Sequence, residues 1–274
     1  MKKIAVIGLG IIGGSICASL TKAGYVIDGV DLDKSTMQIA RERGFINGFA
    51  EDISKYDVVL IATPPQAAIN LLNETIFKND AIVSDICGIK ALIEREVYAK
   101  PRNYRYVGLH PMAGKETSGI QFASSELFNG ANVVITRSEQ TCAEALQEIK
   151  SLVTAMRFGR IVECTAEEHD RKIALTSQLA HIVSNAYVKS PQVTNCKGFT
   201  GGSFQDMSRI AGVDEGIWTQ LYMGNRAFIL EELEGLIDQL TVYRDALKKE
   251  DGEKLSAALK EGRLIREKIK YKKN

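Results

Sequence analysis

Between the apolar run Ile4-Ala5-Val6-Ile7 and a helical pattern opening at Ile11 lies Gly8-Leu9-Gly10-Ile11-Ile12-Gly13-Gly14-Ser15, a G-x-G-x-x-G turn from strand to helix. Each glycine has its own steric task. The spacing assigns Gly8 to the tight turn, Gly10 to a backbone that a pyrophosphate can approach, and Gly13 to a helix lying close on its strand. The amides of Ile11 and Ile12 then open the helix, and free amides at a helix start favour phosphate. A second apolar run, Val26 to Val30, ends in Asp31, 18 residues past Gly13. A carboxylate there reaches the adenosine ribose hydroxyls. No Arg directly follows Asp31, which disfavours a 2′-phosphate, so the pattern predicts NAD rather than NADP. Ala62-Thr63-Pro64-Pro65 ends a further strand pattern and belongs at the carboxyl edge of the sheet, where ligands bind in α/β folds. The competing readings are a glycine turn without a ligand and a rigid Pro turn that touches none.

Short apolar runs alternate with helical patterns from residue 1 to 164. They are Ile4 to Ile7, Val26 to Val30, Val58 to Ile61 and Ala81 to Ser84, then the weaker Tyr106 to Leu109, Val133 to Thr136 and Arg160 to Val162. Such runs read as strands buried on both faces of a parallel sheet with helical crossovers. From Thr165 onward β-type runs give way to helical periodicity. Thr165, with Glu168 three residues on, fits a capping box at a helix start. The expectation is an α/β Rossmann-type dinucleotide-binding domain over 1–164, followed by an all-α domain over 165–274. Ile217, Leu221, Leu233, Leu236, Ile237, Leu240 and Leu247 mark long amphipathic helices that need a partner surface, which predicts a homodimer through the C-terminal helices. Arg263 to Lys273 reads as a solvated basic helix and tail.

Composition narrows the function. With 35 Lys+Arg against 34 Asp+Glu the net charge is +1, and aromatics are only 7%. Neither a field that would attract nucleic acid or anionic lipid nor a set of rings for base stacking is present. No stretch is long and apolar enough for a membrane span. The glycines at 8, 10, 13 and 14 break what would otherwise imitate a signal peptide. Five cysteines without a CxxC pair suit a reducing cytoplasm, and scattered histidines argue against a metal site.

Only His110, His169 and His181 can act as histidine acid or base. His110 follows Val107-Gly108-Leu109 and is expected at the end of a sheet strand, facing the crevice. At ~100° per residue, Asp170, Ser177, His181 and Asn185 form one polar line on an otherwise apolar helix, the wall of a wet site. A solvated outer face is the alternative, although that would more often carry Lys and Glu than Ser, His and Asn. His169 falls off this line and reads as a structural or capping residue. In Gly201-Gly202-Ser203-Phe204-Gln205-Asp206-Met207-Ser208-Arg209, the guanidinium of Arg209 suits a carboxylate, with a plain surface Arg as the alternative. Trp218 reads as core.

Gly8 to Ser15, Ala62-Thr63-Pro64-Pro65, His110-Pro111-Met112-Ala113-Gly114, Glu167-Glu168-His169-Asp170 and Asp206-Met207-Ser208-Arg209 occur in this order along the chain. Together they resemble the prephenate and arogenate dehydrogenases of tyrosine biosynthesis over essentially the whole length. The resemblance implies NAD-dependent oxidative decarboxylation of prephenate or arogenate, with His110 as catalytic base and Arg209 on a substrate carboxylate. It also implies pocket or gate positions for Ser177, His181, Glu116, Asp170 and Trp218. Two departures stand out. The family's Asp-x-Gly-Ser-x-Lys is here Asp85-Ile86-Cys87-Gly88-Ile89-Lys90, so Gly88 replaces the serine. Gln205 stands where some members carry a basic residue. The chain ends with the helical domain, where some relatives carry a regulatory or mutase domain. A 3-hydroxy-acid dehydrogenase is the alternative enzyme, although His181 stands where those enzymes carry Lys four residues before Asn. The alternative from another class is a non-catalytic dinucleotide sensor.

Overall fold

The computed structural model describes residues 2–114 and 117–269. It forms two compact units, residues 1–226 and 227–274.

The first unit is built on a six-stranded parallel sheet of β1 (Ile4–Ile7), β2 (Ile27–Val30), β3 (Gly48–Phe49), β4 (Val58–Ile61), β5 (Ile82–Asp85) and β6 (Arg105–Tyr106). Its order is β3-β2-β1-β4-β5-β6. The order reverses between β1 and β4, the switch point at which such sheets leave a crevice outside their carboxyl ends. Successive residues serve opposite faces. Ile4, Val6, Val58 and Leu60 pack into one apolar core, and Ala5, Ile7, Val59 and Ile61 into the other. Burial on both sides is why these strands read as unbroken apolar runs rather than as alternating ones. Helices α1 (Ile11–Lys22), α2 (Lys34–Glu42), α3 (Pro65–Glu74) and α4 (Ala91–Tyr98) follow β1, β2, β4 and β5.

The run expected as one strand from Tyr106 to Leu109 is divided. Val107 keeps a backbone bond to Val83, and the chain then leaves the first sheet. It enters a second one as β7 (Gly108–Pro111), which pairs antiparallel with β8 (Asn132–Thr136); β8 in turn pairs parallel with β9 (Arg160–Cys164). Periodicity shows that a segment is extended but not which sheet it joins, because that depends on distant partners. His110 consequently lies within β7, opposite Val134. Helix α5 (Ala143–Ala155) connects β8 to β9.

Helix α6 (Ala166–Ile173) starts at Thr165, whose hydroxyl accepts the Glu168 N–H at 3.1 Å. The expected reciprocal bond is replaced, since the Glu168 carboxylate pairs with Lys172 one turn on. A π-helical stretch, Ala174–Leu179, joins α6 to α7 (Ala180–Tyr187). The unit continues with α8 (Gly202–Ser208) and α9 (Glu215–Gly224).

The second unit carries most of α10 (Arg226–Lys248) together with α11 (Gly252–Lys268), joined by a bond from Tyr243 Oη–H to the Ala258 carbonyl. Leu230, Ile237, Leu240 and Leu247 on α10 are exposed, as are Leu259 and Ile265 on α11. Among the described residues no helix is long and apolar enough to cross a membrane.

Candidate active site

A crevice of ≈ 970 Å³ opens at the carboxyl ends of β1, β2, β4 and β5. Gly8, Gly10, Ile11, Ile12, Asp31, Ala62, Thr63 and Pro64 line it, with Cys87 and Gly88 farther in. The glycines do separate work. Gly8 has φ +89°, and a Cβ there would meet the Ala62 carbonyl oxygen at 2.5 Å. A Cβ on Gly13 would stand 1.8 Å from the Gly8 oxygen, so Gly13 sits behind the crevice as the helix-to-strand contact. A Cβ on Gly10 would meet nothing within 4 Å, which leaves the backbone open to a ligand. Helix α1 has no side-chain cap, whereas α2 is capped by Asp33; the uncapped amides at the start of α1 suit an anion.

Asp31 is fixed at the mouth of the crevice by Leu9 N–H at 2.7 Å and Asp33 N–H at 3.0 Å. Each oxygen retains acceptor capacity for a hydroxyl. Thr63 Oγ1 is buried with no partner among the described residues. Open backbone, uncapped amides, a fixed carboxylate and an unsatisfied hydroxyl together fit a dinucleotide.

Behind the inner end lies a chain of polar side chains drawn from several elements. Asp85, at the end of β5, is fully buried. It holds Lys90 Nζ at 2.5 Å, Tyr106 Oη–H at 2.5 Å and Cys87 N–H at 2.9 Å. One step further, Asp170 of α6, 1% exposed, accepts Lys90 N–H and Ala91 N–H, each at 2.8 Å, at the start of α4. The positive end of the α4 dipole supports that carboxylate. Asp170 Oδ1 lies 2.6 Å from His169 Nδ1, and His169 Nε2 lies 2.8 Å from His110 Nδ1. The last member lies beside the crevice lining at Gly88. A Cβ built on Gly88 would stand 3.6 Å from His110 Nε2 and 3.4 Å from Leu221 of α9, and both Gly88 and Leu221 line the crevice.

Burial sets the electrostatics. It holds the His110 imidazole well below the usual histidine value, and the positive potentials of His169 and Lys90 add to the effect. His169 is also lowered by burial, against the upward pull of Asp170. Burial and then Asp85 push the Cys87 thiol well above the ordinary range, so Cys87 stays a neutral thiol, 3.4 Å from the Thr63 carbonyl. A neutral imidazole whose Nε2 lies beside Gly88 of a dinucleotide crevice is equipped to take a proton from a bound alcohol.

The family model described as "Prephenate dehydrogenase, nucleotide-binding domain" matches residues 16–162, and "Prephenate dehydrogenase, dimerization domain" matches 165–261. The chain belongs to the prephenate dehydrogenase family. A cyclohexadienyl dehydrogenase of Zymomonas mobilis is 30% identical, covering 97% of this chain and 95% of that one. A prephenate dehydrogenase of Bacillus subtilis is 28% identical, over 92% and 72% respectively. The solved prephenate dehydrogenase from A. aeolicus, in complex with hydroxyphenyl propionate and NAD+, superposes with a TM-score of 0.83 at 27% identity, covering 98% and 99%.

In this prephenate dehydrogenase family member the polar line expected from Asp170 to Asn185 does not form as drawn. The π-helical stretch inserts about one residue, which turns everything beyond it by roughly 100°. Gln178 therefore takes the place expected for Ser177. It is buried and joins Asp170 through Asn225, whose Nδ2 donates to Gln178 Oε1 at 2.6 Å and to the Asp170 carbonyl at 2.8 Å. Asp170, expected on the substrate wall, is corrected to a buried position, since its oxygens are occupied by amides and by His169. His169, read as structural from the sequence, is the bridge to His110. The segment past the π turn keeps its own cluster. His181 Nδ1–H donates to the Ser177 carbonyl at 2.9 Å, and its ring lies 4.0 Å, centroid to centroid, from that of Trp218. Trp218, read as core, is partly exposed there. Asn185 Nδ2 donates to the Ala211 carbonyl at 3.1 Å, holding the turn that begins with the exposed Arg209. Glu116 lies outside the described residues.

Sequence reasoning missed Tyr106, Gln178 and Asn225, and it gave Asp85 and Lys90 no task. One signal was available: Asp85 and Lys90 are ionised types embedded in apolar sequence, and buried charges come paired.

Proposed function

We propose that this chain oxidises prephenate to 4-hydroxyphenylpyruvate with loss of carbon dioxide, and that arogenate is an alternative substrate. The observation that carries this reading is the position of His110 Nε2 beside Gly88, at the inner end of a crevice shaped for a dinucleotide. NAD bound there supplies the hydride acceptor. The loop from Gly8 to Gly13 receives the pyrophosphate, Asp31 the adenosine ribose, and Ala62, Thr63 and Pro64 the opposite wall.

His110 takes the proton of the ring hydroxyl at Nε2. Hydride leaves the same ring carbon, the carboxylate opposite departs as carbon dioxide, the electron pair of the broken bond restores aromaticity, the source of much of the driving force, and His110 Nε2 returns the proton to the ring oxygen. Arg209 neutralises a substrate carboxylate through its planar fork. Ser177, His181, Glu116 and Trp218 supply pocket or gate positions for the substrate. Residues 1–164 act as the nucleotide half and 165–274 as the helical half. Two copies pair through the C-terminal helices, whose exposed leucines and isoleucines need covering, and the enzyme works in the cytoplasm.

The test follows NADH absorbance with prephenate and arogenate, each offered with NAD and with NADP. Turnover of either substrate with NAD is expected. Silence in all four combinations while NAD still binds would replace this reading with a 3-hydroxy-acid dehydrogenase or a dinucleotide sensor.

A further inference from the structure

The bonds behind His110 have a direction that the donor chemistry fixes. Asp170 is an acceptor throughout, because Lys90 N–H and Ala91 N–H both donate to its carboxylate. The nitrogen of His169 that lies 2.6 Å from it, Nδ1, must then carry a proton. A neutral His169 with Nδ1 protonated has a bare Nε2, and a bare Nε2 at 2.8 Å from His110 Nδ1 requires the proton on His110 Nδ1. The consequence falls on the other side of the second ring: His110 Nε2, the atom beside Gly88, is left as a lone pair. In water a neutral imidazole favours the opposite tautomer, with the proton on Nε2, so the fold imposes the form that can act as a base.

We propose that His169 and Asp170 form a relay that locks His110 in its base-competent tautomer and stabilises the imidazolium formed during turnover; the second part rests on His110 being the base, as read above. His169 and Asp170 are positioning residues and touch neither substrate nor cofactor. The proton bookkeeping is closed. During hydride transfer the substrate hydroxyl proton passes to His110 Nε2, the His110 Nδ1–H stays donated to His169, the His169 Nδ1–H stays donated to Asp170, and the transient positive charge is balanced through two hydrogen bonds by one carboxylate; once loss of carbon dioxide has made the ring aromatic, His110 returns the proton to the phenolate oxygen. Burial sharpens this, since charge–dipole interactions gain strength where water is excluded. His169 is 2% exposed and Asp170 1%, and Asn225 ties the Asp170 backbone to the rest of the site.

Two measurements test the relay. The first is the tautomer of His110 in the unmodified protein, read from imidazole ¹⁵N shifts. The chain has three histidines, and single substitutions assign them. A protonated Nδ1 and bare Nε2 are expected, and a protonated Nε2 on His110 overturns the proposal without any need for substrate. The second compares His169→Asn with the parent. Asparagine keeps an amide for Asp170 but is too short to reach His110. Turnover is expected to fall by on the order of tenfold or more, with KM values for substrate and NAD nearly unchanged and His110 drifting toward the Nε2–H tautomer. Parental turnover in a folded His169→Asn protein overturns the relay. If that variant does not fold, the tautomer in the parent decides alone. Failure of the base assignment is read separately: there, His110→Ala would keep its turnover while the tautomer of the parent stays as expected.

Discussion

The crevice wall from Gly8 to Asp31 presents open glycine backbone, uncapped helix amides and one fixed carboxylate, whereas the wall behind His110 is made of side chains from β5, β6, β7, α6 and Lys90 at the start of α4. In the crevice, recognition depends on what is missing: no Cβ at Gly10, no cap on α1. Behind His110 it depends on what is buried, because Asp85 and Lys90 are fully sequestered and Asp170 nearly so. The first region selects a ligand by shape, open amides and the Asp31 carboxylate. The second fixes protonation states, which works only where solvent cannot offer competing bonds. A dinucleotide brings its own charge to the site, but a base needs its proton positions arranged in advance.

Substitutions should separate the two regions. Lys90→Met leaves the Asp85 carboxylate buried with no cation, and losing one member of such a pair costs about 3–5 kcal/mol; chemical denaturation should register that loss, and an unchanged midpoint would mean that Tyr106 and the Cys87 amide suffice for Asp85. His110→Ala should lower turnover by about 10² or more while NAD titrates almost as in the parent. Retained turnover would take the base out of this wall altogether. Asp31→Ser should cut the preference for NAD over NADP by about tenfold, the worth of one hydrogen bond to a charged group, with thermal stability hardly altered. An unchanged cofactor ratio would mean that the crevice selects by backbone alone.

The smallest effect is one of pH. His110 and His169 both titrate below the usual histidine value near 6.5 because of burial. The unfolded chain then binds more protons than the folded one as pH drops through that value, so the stability linked to these groups is present above it and is lost below it. Melting temperature should decline from neutral pH toward pH 5, and His169→Asn should flatten the decline. An identical slope in the variant would assign the pH dependence to carboxylates elsewhere.

How much of this is legible in a sequence depends on how far apart the partners lie. The glycine loop, Asp31 and the turn at Ala62 each close a strand pattern with a recognisable spacing, so the sequence exposes them even though Asp31 is held by Leu9, 22 residues away. Ile4 to Ile7 and Val58 to Ile61 read correctly as strands because burial on both faces leaves an unbroken apolar run. The polar line from Asp170 fails at a local detail with distant consequences. Nothing in Ala174-Leu175-Thr176-Ser177-Gln178-Leu179 announces i→i+5 bonding, yet it moves Gln178 into the place expected for Ser177.

His110 stood out in the sequence as a histidine at the end of an apolar run, and that was enough to nominate it. What holds it was hidden. His169 lies 59 residues away and Lys90 80 residues from Asp170, and no periodicity links such positions. The sequence by itself determined the nucleotide loop, the buried strands, the family and the candidate base, because those rest on local sterics and on motif order. The tertiary structure alone decided which sheet carries His110, how the π turn rotates the helix beyond it, and which partner each ring nitrogen of His110 and His169 faces, because those contacts in a dry interior join residues that only folding brings together.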